Sequence, residues 1–126
     1  MNLLLDTHIL IWWAVNSSAM PPECKDLLAD PRHQVFFSSL SIWEVAIKHG
    51  KGLIPIPSEN LREESIRAGL LELPFSAKHA CRVETLPSIH ANPFDRGLIS
   101  QALDVPLLLV SQDEIVQQYP LNVISF

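Results

Sequence analysis

Short, almost continuously apolar runs alternate with helix-like segments along this chain, and that alternation limits the fold more than any other feature. Apolar runs without polar alternation are typical of parallel strands that helices cover on both faces. The predicted strands are 2–6 (NLLLD), 34–38 (QVFFS), 70–73 (LLEL), 106–110 (PLLLV) and the tail 122–126 (NVISF). The predicted helices are 7–15, 22–30, 41–51, 58–70, 76–86, 93–104 and 113–119. The pattern therefore predicts an α/β fold, with a mostly parallel sheet of four to five strands flanked by helices on both faces.

The length and charge of the chain limit the number of domains and the kinds of partner that it can have. With 126 residues it is long enough for one domain with a real core, so we expect a single domain over 1–126. A net charge of −5 argues against binding nucleic acid through a basic surface, although bound cations would reverse the sign locally. Without a membrane-spanning run or a signal-peptide pattern, we expect a cytoplasmic protein that does not contact membranes.

Four acids stand where the predicted strands end or where neighbouring helices begin. Asp6 ends the first strand, Glu44 lies near the start of the helix after 34–38, and Asp113 follows the run LLLV. Asp95 opens the helix that leads into LLLV, and its spacing turns it inward. Because ligands bind at the carboxyl ends of parallel strands, we expect these four carboxylates to converge on one edge of the sheet.

Converging carboxylates repel one another unless a cation lies among them. An all-oxygen donor set favours Mg²⁺ or Mn²⁺ over Zn²⁺, and such sites often cleave phosphodiesters. Each acid also fits an ordinary role at a helix start. Asp6 would cap the first helix, and Ser41 with Glu44 forms a capping-box pattern. The residues alone leave both interpretations open.

Four longer stretches resemble the PIN-domain family, and within it the VapC-like toxins of type II toxin–antitoxin systems. They follow one another over nearly the whole chain: LLLDTHILIWW, SSLSIWEVAIKHGKGLI, HANPFDRGLISQA and LLLVSQDEIVQQYPLNVI. The resemblance implies a PIN domain over 1–126 that acts as an Mg²⁺- or Mn²⁺-dependent endoribonuclease and hydrolyses RNA with a metal-activated water. It further implies tRNA, rRNA or mRNA as the substrate, and a cognate antitoxin that blocks the site.

The resemblance also implies the roles of individual residues. The metal-binding and catalytic acids would be Asp6, Glu44, Asp95 and Asp113, with Ser111 as the small hydroxyl residue before the last acid. Asn92 departs from the pattern, since many relatives carry an aspartate there. An amide oxygen still coordinates a cation but adds no charge, so we expect activity with weaker binding of a second metal.

Several nearby polar residues have weaker assignments. Thr7 and Ser39 are candidates to orient ligand waters, with hydrogen bonds at helix or strand ends as the alternative. Arg96 is a candidate to contact phosphate or to order a carboxylate, with a solvated helix position as the alternative. His8 and His90 fit structural roles better than metal ligation.

Two surfaces are candidates for partners. Lys48 and Lys51 are candidates to contact the RNA backbone, although a solvated helix end is the favoured explanation. The first helix carries Trp12 and Trp13 and is apolar on nearly all sides, so something covers it on a second side. A homodimer interface, an antitoxin groove or a neighbouring helix of the same chain would serve.

Two other functions remain open at this point. A phosphatase-like or receiver-like protein would use Asp6 as a phosphate acceptor, but residue 8 is a histidine and no strand-end lysine completes such a site. A catalytically weak PIN-like protein would act only by binding a partner, and Asn92 is the feature that favours it.

Overall fold

The computed structural model describes residues 1–126 as five strands, six α-helices and one short 3₁₀ helix. The strands are β1 (Asn2–Leu5), β2 (Gln34–Ser38), β3 (Leu71–Leu73), β4 (Leu108–Val110) and β5 (Val123–Ile124). The helices are α1 (Thr7–Ala14), α2 (Pro22–Ala29), α3 (Ser39–Gly50), α4 (Ser58–Arg67), α5 (Ala77–Val83) and α6 (Pro93–Asp104). The 3₁₀ helix covers Val116–Gln118. No helix has the length and apolar character that crossing a membrane requires.

All five strands run parallel, in the order β3-β2-β1-β4-β5. Leu4 of β1 pairs with Phe36 of β2 and with Leu109 of β4, so the carboxyl ends of these three strands meet at one edge. The predicted parallel α/β sheet is confirmed. Receiver domains have the order 2-1-3-4-5 instead, so the receiver-like alternative is wrong.

Helices cover both faces of the sheet, which explains why the strands are apolar at successive positions. Leu3 and Leu5 point to one face and pack with buried residues of α1, α3 and α4. Leu4 points to the other face and packs with Leu98 and Ile99 of α6. Because α6 leads into β4 and runs back along the sheet, its first turn lies at the carboxyl edge, beside the ends of β1 and β4.

The boundaries of several helices differ from the predicted ones. The third helix begins at Ser39, because the Ser38 side chain caps it by accepting from the Leu40 N–H at 3.0 Å. The capping box of Ser41 and Glu44 was therefore wrong. The fourth helix ends at Arg67 and the fifth at Val83, short of the predicted residues 70 and 86. Beyond α4 the backbone turns through Gly69 at a φ of +93°, a conformation that ends a helix.

The predicted last helix, 113–119, is reduced to the single turn Val116–Gln118. At its start the Asp113 side chain accepts from the Ile115 N–H at 2.8 Å, forming a local turn instead of a helical one. Pro120 follows directly after Tyr119 and prevents continuation. Asp113 is thus held in a turn beyond β4, and not in a helix.

Candidate metal centre

Asp6 is fixed at the junction between β1 and β4. Its backbone N–H donates to the carbonyl of Val110 at 3.0 Å, and its carboxylate caps α1 by accepting from the Ile9 N–H at 2.8 Å. The side chain is 4% exposed. Burial raises its pKa above the ordinary value, although hydrogen bonds from Ser111 and Ile9 oppose the shift and Asp113 adds a further repulsive charge. The capping role is therefore real, but it leaves a buried carboxylate beside other acids.

Glu44 lies in the second turn of α3 and is 3% exposed. Its Oε2 accepts from the ammonium of Lys48 at 2.5 Å, one helical turn further on. Its Oε1 is buried and has no hydrogen-bond partner. A buried acceptor without a partner costs about 1–3 kcal/mol, and more when it belongs to a charged group. This oxygen therefore fits a position that faces a cation.

His90 lies between the other two acids. Its Nε2 is 2.9 Å from Oδ2 of Asp113 and 3.2 Å from Oδ2 of Asp95. Burial would raise the pKa of Asp113, but hydrogen bonds from His90 and the Ile115 N–H bring it below the ordinary value. For Asp95 burial prevails and raises the pKa to about 6, even though the neighbouring His90 opposes the shift.

The four acids form one electrostatic cluster. The charges of Glu44, Asp6 and Asp113 each raise the pKa of Asp95, which places all three within interaction range of that carboxylate. Donor atoms of His90, Asp95 and Asp113 lie within 4.8 Å of one another. Repulsion of this kind is relieved by a divalent cation among the carboxylates. The oxygen donors and the orphaned Oε1 of Glu44 both fit such a cation.

Three of the predicted supporting residues adjoin this cluster. Ser111 is fully buried. Its side chain is hydrogen-bonded to Asp6, and its hydroxyl accepts from the Asp113 N–H at 3.1 Å. The hydroxyl of Thr7 lies 2.9 Å from that of Ser41 and so links α1 to α3 beside Glu44. Asn92 caps α6, since its Oδ1 accepts from the N–H groups of Phe94 and Asp95 at 2.9 and 3.4 Å.

The other predicted residues have different surroundings. Ser39 accepts from the Phe75 N–H at 2.9 Å, so it anchors the chain after β3. Arg96 donates to the carbonyls of Pro87 and Val83 and to the hydroxyl of Tyr119, and these bonds tie down the loop before α6. Lys48 is paired with Glu44, whereas Lys51 is exposed just past the end of α3. Of the two lysines predicted to contact RNA, Lys48 forms an ion pair with Glu44 and Lys51 does not.

Sequence reasoning missed the part that His90 plays in the cluster. It gave the residue a structural role in preference to metal ligation, and the structure adds that the imidazole contacts two of the four acids. The contact with Asp113 spans 23 residues and depends on the turn beyond β4, which no local pattern indicates. The one available signal was the position of His90 five residues before Asp95, in the segment HANPFDR.

Fold and site together define a parallel α/β domain whose carboxylates gather at the carboxyl edge of the sheet, an arrangement suited to a divalent cation. The chain belongs to the PIN domain family, whose model matches residues 3–121. No curated protein matches the chain.

Three solved structures illustrate the fold. A chain of VapBC2 from Rickettsia felis, bound to a promoter DNA fragment, has a TM-score of 0.73 and 20% identity, with 100% of this chain and 99% of that chain covered. A chain of DNA-bound VapBC from Salmonella typhimurium has a TM-score of 0.71 and 17% identity, with 99% and 98% covered. VapBC-1 from nontypeable Haemophilus influenzae has a TM-score of 0.65 and 16% identity, with 99% and 98% covered. At these identities the likeness establishes the fold.

Proposed function

We propose that this protein is a divalent-cation-dependent endoribonuclease, a VapC-like toxin that a cognate antitoxin neutralises. The observation that carries the proposal is the unpartnered Oε1 of Glu44, buried in a cluster with three other carboxylates. Membership of the PIN domain family and the toxin–antitoxin complexes among its structural neighbours support it. We further propose tRNA, rRNA or mRNA as the substrate, and a cytoplasmic homodimer with one PIN domain over 1–126 as the working form.

The acids Asp6, Glu44, Asp95 and Asp113 would hold Mg²⁺ or Mn²⁺ in this proposal. The bound cation supplies positive charge that stabilises a phosphorane-like transition state, and it lowers the pKa of the attacking water. The chain itself fixes the geometry. Asp6 is held by the Ile9 N–H and Asp113 by the Ile115 N–H, so neither carboxylate has to be ordered when substrate arrives.

The proposal is tested by incubating the purified protein with RNA in the presence of Mg²⁺, Mn²⁺ or EDTA. We expect cleavage with either cation and none with EDTA. Asp6→Asn and Asp95→Asn should each lower cleavage at least about 100-fold, because each removes a charge from the cation site. Asp26→Asn is a matched control, since this aspartate is exposed on α2. Full activity in either site variant would refute the assignment.

The second candidate function is a catalytically weak PIN-domain protein that acts by binding a partner. Asn92 favours it, because an amide caps α6 at a position where an aspartate would add charge next to the cluster. The same incubation separates the two functions. A purified protein that binds Mn²⁺ but leaves tRNA, rRNA and mRNA intact would support the second candidate.

A further inference from the structure

We propose that His90 is a positioning residue: its imidazole carries the proton on Nε2, donates a hydrogen bond to Asp113 beside Asp95, and so organises the metal centre without ligating the cation. The inference rests on the proposed function of the same site. The alternative role for His90 is that of a metal ligand, because a histidine beside two aspartates is a common cation-binding set. In our proposal the imidazole is a hydrogen-bond donor and does not bind the cation.

The tautomer follows from a backbone hydrogen bond. The Asn92 N–H can only donate, and it lies 3.1 Å from Nδ1 of His90. That ring nitrogen must therefore accept, so the ring proton is on Nε2. Nε2 then donates to Oδ2 of Asp113 at 2.9 Å, with Oδ2 of Asp95 at 3.2 Å. A protonated ring nitrogen has no lone pair for a cation.

The ring is held in this orientation from the backbone side. The His90 N–H donates to the hydroxyl of Tyr119 at 2.7 Å. The same hydroxyl accepts from Arg96 at 3.1 Å, and the guanidinium of Arg96 also anchors the carbonyls of Pro87 and Val83. Tyr119 is 3% exposed, so the hydroxyl at the centre of this network belongs to a buried residue. Ligation through Nε2 would require moving the ring proton to Nδ1, which would break the bond from Asn92.

The donor role has two consequences for the metal centre. Asp113 is fixed at both oxygens, by the Ile115 N–H at Oδ1 and by His90 at Oδ2, and Oδ2 of Asp95 lies 3.2 Å from the same ring nitrogen. The cation therefore meets oxygen donors only, which favours Mg²⁺ or Mn²⁺ over Zn²⁺. Loss of such an orienting partner typically costs about 10–100-fold in metal affinity.

A second histidine in the chain has the same hydrogen-bond pattern and serves as a control. Nδ1 of His79 accepts from the Ser76 N–H at 3.0 Å, and its Nε2 lies 3.2 Å from Oδ2 of Asp104. Asp104 ends α6, nine residues after Asp95, which corresponds to about 13 Å along the helix axis. His79 therefore tests the loss of an equivalent hydrogen bond far from the acid cluster.

The experiment combines nitrogen NMR of the imidazoles with calorimetric titration of Mn²⁺ and Zn²⁺. In the wild-type chain we expect a protonated Nε2 and an unprotonated Nδ1 at His90, unchanged when Mg²⁺ is added. Mn²⁺ affinity should fall about tenfold in His90→Leu, which removes the donor. It should stay near the wild-type value in His90→Gln, whose amide N–H replaces Nε2–H, and in His79→Leu.

The outcomes are separable. A His90 ring that moves its proton to Nδ1 on Mg²⁺ addition, or equal losses of Mn²⁺ affinity in His90→Gln and His90→Leu, would overturn the positioning role. The NMR measurement uses the wild-type chain, so it tests the positioning role of His90 even if His90→Leu does not fold. A wild-type protein that shows the expected ring and binds Mn²⁺ but cleaves no RNA would refute the proposed function and leave the role of His90 supported.

Discussion

Asp95 combines two properties at the scale of a single residue. Burial opposes its charge and raises its pKa to about 6, and it receives repulsion from the three other carboxylates of the cluster. An acid kept in that position costs stability whenever it ionises without a cation. Functional sites commonly carry this kind of cost.

Replacing Asp95 by Asn should therefore stabilise the cation-free protein at neutral pH. The pKa of Asp95 rises from 3.8 to about 6 on folding. The contribution of this carboxyl group to the free energy of unfolding is therefore fully present below pH 3.8 and is lost as the pH rises through 6. Asp95→Asn removes that loss, so its advantage over wild type should grow between these values and reach roughly 1–3 kcal/mol by pH 8. Urea unfolding of both proteins in EDTA at several pH values measures this difference in the free energy of unfolding. A variant no more stable than wild type at pH 8 would contradict the argument.

The role of Asn92 could not be decided from the sequence alone. Compared with an aspartate it lacks a charge, which suggested a weaker second metal site. The structure adds that its Oδ1 caps α6 and that its N–H fixes His90. An amide performs both tasks fully, because capping needs only an acceptor oxygen and the second bond comes from the backbone. The cap was readable from Asn92 before Pro93, whereas the bond to His90 came only from the tertiary structure.

At the scale of elements, the close approach of α6 to α3 holds Asp95 and Glu44 near each other. Gly97, two residues after Asp95, is buried against the side chains of Leu40 and Phe75. A Cβ at this position would overlap the Leu40 methyl and lie 3.2 Å from the Phe75 ring. The glycine therefore sets how closely the two helices pack.

Gly97→Val should separate the helices and destabilise the protein by about 1–3 kcal/mol, because the added methyl groups overpack this contact. Gly50→Ala is the control: nothing lies within 4 Å of a Cβ there, so it should be neutral or stabilising by up to about 1 kcal/mol. Chemical denaturation measures both. An equal response of the two variants would show that the α3–α6 contact tolerates added volume.

The strands were predictable because apolar runs such as 34–38 report burial on both faces directly. The start of α3 was not, since Ser38 and Ser41 are both good capping residues and only the length of β2 decides between them. The turn around Asp113 was missed for a similar reason: DEIVQQY has helical spacing, and the hydrogen bond that the Ile115 N–H donates to the Asp113 carboxylate competes with it. The acids were predicted from their places at strand ends and helix starts, and their hydrogen-bond partners came only from the tertiary structure.

At the scale of the whole molecule, the chain carries a net charge of −5 and gathers four carboxylates where a polyanion would have to approach. For the proposed ribonuclease, the field of the cation-free protein opposes RNA binding, so a cation would have to neutralise the site before it could assist the chemistry. A cation held by these four acids would bind only the folded chain, because the acids are distant in sequence. Cation binding and stability are therefore linked.

Mg²⁺ or Mn²⁺ should accordingly raise the thermal stability of the wild-type protein. At a concentration about 100 times the dissociation constant the gain is about 2.7 kcal/mol, or about 10 °C in Tm for a domain of this size. Asp6→Asn and Asp95→Asn should lose most of the gain, whereas Asp26→Asn, exposed on α2, should keep it. Thermal scans with and without the cation measure the effect at fixed ionic strength, so that screening is held constant. If the site variants gained as much as wild type, the cation would be binding elsewhere on this acidic surface, and the carboxylate cluster would lose its assignment.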